Sequence, residues 1–177
     1  MWCNLFIKII GSMVVIFSAS MIGFLIAGAY RDRPKELREL QSALLMLETE
    51  IGYASTPLSE ALDRISKRTD PKISKFLKNV KEHLQKKQGY TAEEAWEKSL
   101  MDFYGESSLN LEDKAILSNL GKYIGTSGTS DQIKHIKLAI AQLKNQEKKA
   151  ESEKYKNEKV WRYMGVLAGI LFVLLTI

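Results

Sequence analysis

Few side chains in this sequence could do chemistry. The two histidines, His83 and His135, are far apart with no motif between them, and Cys3 is the single cysteine. One cysteine excludes an intrachain disulfide framework and any cysteine-based zinc site. There is no Walker loop, no paired-glycine dinucleotide fingerprint and no HExxH, and no Ser or Cys has a His nearby. The 21 carboxylates stand among lysines at helical spacing, so they read as solvated ion-pair partners rather than acid–base pairs. The expectation is a protein that is not an enzyme and has no catalytic residue, metal or cofactor.

The charge distribution points to a membrane instead. Lys8 is the one charged side chain in residues 1–30, and residues 163–177 have none, so 25 basic and 21 acidic side chains, a net +4, crowd into residues 31–162. Ile9 to Tyr30 is an uncharged run of 22 residues, about 33 Å as a helix, enough for a hydrocarbon core of roughly 30 Å. Ala27-Gly28-Ala29 has the form of a signal-peptide cleavage site. Against cleavage, the run is longer than a signal core, and Arg31 and Arg33 follow at once. An uncleaved anchor is expected. After Arg162 come 15 uncharged residues, short for a span unless Arg162 snorkels and Val160 and Trp161 join the apolar face. A second, C-terminal span is expected there. Arg31, Arg33, Lys35 and Arg38 follow the first span and Lys148, Lys149, Lys154, Lys156, Lys159 and Arg162 precede the second, which places the middle of the chain in the cytoplasm.

That middle reads as helices. Pro34 suits a helix start, and Leu37, Leu40, Leu44, Leu47 and Ile51 recur at spacings of three and four up to Gly52. Thr56-Pro57 and Asp70-Pro71 open two more helices, Thr91 and Glu94 form a capping box for a fourth, and Asn110 or a neighbour caps a fifth that stops at Gly125. After the GTSGTS corner, Ile133, Ile136, Ile140 and Leu143 start a sixth helix that fades into NQEKKAESEKYKNEK without a breaker. This charged stretch is expected to be an exposed helical neck; the competing reading is a flexible linker. Leu44, Leu47, Leu62, Leu77, Trp96, Leu117 and Ile136 are the expected core. The fold class is all-α, a single antiparallel bundle of about six helices flanked by N- and C-terminal transmembrane helices. Its parts are an anchor over 1–30, a bundle over 31–145, a neck over 146–160 and a span over 161–177.

The pI of about 9.2 raises nucleic-acid binding, but the signs are interleaved and form no basic stripe. The densest cations flank the spans, where anionic lipid accounts for them. No nucleic acid or small-molecule substrate is expected. Ala19, Gly23 and Ala27 stand four apart and Gly165 and Gly169 form a GxxxG, so both spans offer a face for close helix packing, with each other or with another helix.

The stretch RPKELRELQSALLMLETEIGYASTPLSEALDRISKR, with AEEAWEKSL, LEDKAILSNLGKYIGTSGTSDQ and the ending MGVLAGILFVLLTI, resembles the stage III sporulation protein AB family from about Arg33 onward. Its central signature runs from Glu48, Glu50, Ile51 and Tyr53 through Pro57-Leu58 to Ala61-Leu62. The resemblance implies a bundle similar to the cytoplasmic domains of the type II secretion inner-membrane platform protein. That protein has two such domains and this chain has one, which implies self-association or partners. It also implies a place in the mother-cell membrane facing the forespore, in a channel shared with other sporulation membrane proteins, and a secretion-type ATPase of the same operon as cytoplasmic partner. Glu48, Glu50 and Tyr53, at the end of one helix, are the candidate partner-binding residues. The alternative is that Glu48 pairs with a local cation and Tyr53 caps the core.

Overall fold

The computed structural model describes residues 2–53, 56–86, 89–125 and 128–176, with side chains from residue 11 onward except those of 12, 172, 175 and 176. Parts of the GTSGTS corner, and the side chains of Cys3 and Lys8, lie outside the described residues. Six helices follow one another: α1 (Trp2–Gly52), α2 (Leu58–Ser66), α3 (Pro71–Gln85), α4 (Ala92–Glu106), α5 (Leu111–Gly121) and α6 (Thr129–Thr176), and no strand occurs among the described residues. The chain divides into two compact units, residues 33–148 and the pair of segments 1–32 and 149–177.

Within residues 33–148, successive helices α2 to α5 pack as neighbours. All seven expected core residues are buried, from Leu117, Leu62 and Ile136 at 0% exposure to Leu77 at 4%. Trp96 is the centrepiece. Its ring meets the edge of Phe76 at 5.0 Å, Phe76 stacks on Phe103 at 5.1 Å, and its Nε1 donates to the Leu117 carbonyl at 2.8 Å. A Cβ at Gly121 would overlap the Trp96 ring, so only glycine fits there.

Local signals explain most of the helix starts. Asp70 accepts from the Lys72 amide with Pro71 in the first turn, and reciprocal capping boxes form at Thr91/Glu94 and Asn110/Asp113. Three boundaries depart from the expected ones. Pro34 lies inside α1 and does not open a helix. Proline has no N–H for the Tyr30 carbonyl and its ring crowds that oxygen, a cost of about 3 kcal/mol. Burial of Arg33, Pro34, Glu36 and Leu37 holds the turn in place. The Thr56 hydroxyl does not cap α2 either: Pro57 takes the capping position, and Thr56 Oγ1 donates to Glu50 Oε2 at 2.9 Å. Finally, α5 ends at Gly121, and Gly125, at φ +76°, turns the chain in a left-handed conformation.

In the other unit, the part of α1 from Met13 is apolar enough to cross a membrane, with a mean hydropathy of 2.0 and 11% of its most apolar window buried. A core helix of a soluble protein would be mostly buried, so this low figure fits a lipid-facing helix.

Candidate functional site

The last turns of α1 and the length of α2 form the surface around Glu48, Glu50 and Tyr53. Apolar side chains at 44, 47 and 51 are buried in the bundle, which turns positions 45, 49 and 53 outward. Tyr53 is 90% exposed, so the expected alternative in which it caps the core is wrong. Gly52 ends α1 one residue earlier, and the Tyr53 amide still closes on the Thr49 carbonyl, leaving the ring beyond the packed face.

The two glutamates are not free. Glu48, 19% exposed at its side chain, lies 3.5 Å from Lys137 of α6. Glu50 Oε2 accepts from Arg64 Nη1 at 3.2 Å as well as from Thr56. Beside them, between α1 and α2, an open groove of about 510 Å³ is lined by Met46, Thr49, Glu50, Arg64, Ile65, Lys67 and Arg68. Arg64 is shared between Glu50 and Glu60, and Lys67 answers Asp63 at 2.7 Å. The hydrogen bonds from Lys67 and Lys81 hold the Asp63 carboxyl at about 2, below its usual 3.8.

A polar cluster that the sequence does not announce ties α1, α3, α5 and α6 together. Arg33 donates to both oxygens of Asp113, Nε at 2.8 Å and Nη2 at 3.2 Å, and from Nη2 to Gln146 Oε1 at 3.2 Å. Gln146 in turn donates to Glu112 at 2.8 Å. Three residues along α1, Glu36 accepts from Lys72 Nζ at 2.5 Å and from the Ser108 amide at 2.7 Å. Asp113 is 0% exposed, and Arg33, Glu36 and Gln146 are also buried. Arg33, counted in the sequence as a cation available to lipid, is therefore inside the bundle. Its companion Arg38 lies 2.8 Å from Glu147.

The small residues near the start of α1 and the end of α6 meet each other. A Cβ at Gly23 would sit 2.8 Å from the Trp161 carbonyl oxygen and 2.9 Å from Gly165 Cα, and one at Gly169 would sit 3.3 Å from Ala19 Cβ. Ala27 is 4% exposed. Backbones this close leave no room for larger side chains.

The histidines are built into the packing. His83 lies edge-on to Tyr90 at 5.6 Å, and burial lowers its pKa. His135 stacks on Tyr123 at 3.4 Å. Among the described residues no three His, Cys, Asp or Glu side chains converge as metal ligands. The surface at the end of α1 thus combines an exposed aromatic ring, a groove and fixed charges.

Comparison with known proteins agrees on one family. The model of the family described as stage III sporulation protein AB matches residues 8–177. Stage III sporulation protein AB of Bacillus subtilis (strain 168) is 35% identical over 169 residues, covering 96% of this chain and 98% of that protein. A solved structure of stage III sporulation protein AB superposes with a TM-score of 0.66 at 34% identity, over 71% of this chain and 98% of that one.

Proposed function

Because the chain belongs to the stage III sporulation protein AB family, we propose that it is a non-enzymatic membrane platform of a secretion-like channel between mother cell and forespore. In this reading α1 anchors the protein in the mother-cell membrane, with a second span in the last part of α6. Residues 33–148 face the cytoplasm and dock the secretion-type ATPase of the same operon. Self-association and contacts with other channel membrane proteins complete the assembly.

The observation that carries the docking role is Tyr53. An aromatic ring left 90% exposed at the end of a helix whose other face is fully packed contributes nothing to folding, and such rings are frequent anchors in protein interfaces. Glu48 and Glu50 frame it as fixed, ion-paired charges.

Tyr53→Ala in the full chain tests this reading. It should leave the melting temperature unchanged, because the ring is in solvent, while the ATPase no longer co-purifies and spores fail to form. Retained co-purification with normal sporulation would remove the docking role and leave a membrane-anchored helical adaptor without an ATPase partner.

A further inference from the structure

The groove between α1 and α2 has a sign. Its apolar floor is Met46 with the edge of Ile65, its one carboxylate is Glu50, and three cations, Arg64, Lys67 and Arg68, stand on its α2 side. Glu50 is already engaged by Arg64 and Thr56, so it offers little to an incoming cation. Lys67 is held by Asp63 four residues back. Arg68 differs from both. It lies two residues past the end of α2, its side chain is exposed, and among the described residues that side chain makes no hydrogen bond or ion pair.

We infer that this groove receives an acidic segment of a protein partner, with a carboxylate on Arg68 and an apolar side chain on Met46. The charge complementarity runs opposite to that suggested by the glutamates of the same surface. Glu48 is paired within the bundle with Lys137 and Glu50 with Arg64, and among the described residues the charged side chain of the lining that makes no ion pair is the cation Arg68. A volume of about 510 Å³ holds several side chains of a bound segment. Guanidinium groups suit it because their planar donors grip a carboxylate through two hydrogen bonds. The inference rests on the platform reading only for the identity of the partner; the groove's preference for acid stands on its own lining.

The full chain in detergent micelles is titrated with a labelled short peptide of leucine and glutamate and, separately, with its leucine–lysine counterpart. The acidic peptide should bind and the basic one should not. Arg68→Glu should weaken the acidic peptide about tenfold or more, with no change in melting temperature. Thr49→Trp, which fills the groove without altering net charge, should abolish binding, whereas Lys144→Glu, an exposed reversal on α6, should not. Binding of the acidic peptide that ignores both Thr49→Trp and Arg68→Glu, or preference for the basic peptide, overturns the inference. Co-purification of the ATPase is followed in the same variants. An ATPase that binds through Tyr53 while the peptide ignores the groove refutes the groove and keeps the platform. Groove-dependent peptide binding without any ATPase supports the groove and refutes the platform reading.

Discussion

Replacing Asp113 by alanine should be among the most damaging changes available in residues 33–148. The carboxylate is fully buried and accepts two hydrogen bonds from Arg33 and one from the Asn110 amide at 3.0 Å. Removing it leaves the Arg33 guanidinium, 8% exposed at its side chain, without the carboxylate that takes both its Nε and Nη2 donors, while Gln146 still accepts from Nη2 at 3.2 Å. Orphaning one member of a buried ion pair costs about 3–5 kcal/mol, and the broken capping box adds to it. At roughly 4 °C per kcal/mol for a unit of this size, the melting temperature should fall by roughly 12–20 °C. Far-UV circular dichroism of the full chain during heating reads this directly. Arg33→Met combined with Asp113→Leu removes both charges and should recover most of the loss, because well-packed apolar side chains often replace a buried ion pair at no net cost. A melting temperature for Asp113→Ala within about 3 °C of the parent, or a double variant as unstable as the two single losses added, would refute the reasoning.

Three further outcomes are expected. In a Cys3→Ser background, cysteines at Ala19 and Gly169 should join in an intramolecular disulfide on mild oxidation, since their Cβ atoms would be 3.3 Å apart; exclusively intermolecular dimers on a non-reducing gel would contradict the helix pairing. Gly105→Cys in the same background suits a topology test, because Gly105 is exposed with nothing near its Cβ, unlike the half-buried Ser107, whose hydroxyl accepts from the Leu109 amide at 3.4 Å; an impermeant thiol reagent should label it after lysis and not in intact cells. The Asp63 carboxyl should titrate near 2 and return toward 3.8 in a Lys67→Met/Lys81→Met variant, as read by carboxyl-carbon NMR. Because the folded-state value is the depressed one, the stabilisation from these pairs is complete above pH 3.8 and is lost as pH falls toward 2. A carboxyl whose titration ignores both lysines would remove them as the cause.

The features legible in the residues alone are those set by interactions within about one helical turn. The caps at Asp70, Thr91 and Asn110 formed where serial spacing put them, because a side chain reaching two or three residues along the backbone needs no tertiary help. The apolar stripes identified the core from Leu44 to Ile136, since burial follows the 3.6-residue period. The uncharged run marked a helix long and apolar enough to cross a membrane, and the signature from Glu48 to Leu62 pointed to the family. Tertiary structure decided the rest. Pro34 reads locally as a start, yet burial of the turn around it carries α1 through. Arg33 and Asp113 are 80 residues apart, and nothing in either neighbourhood marks them as partners; a cap at or near Asn110 placed Asp113 only somewhere in a first turn. The glutamates near Tyr53 looked available for a partner until Lys137 and Arg64 arrived from α6 and α2. The sign of that surface depends on which charges the fold neutralises, because local spacing fixes a side chain's own helix face while only packing brings its distant counter-charge within reach.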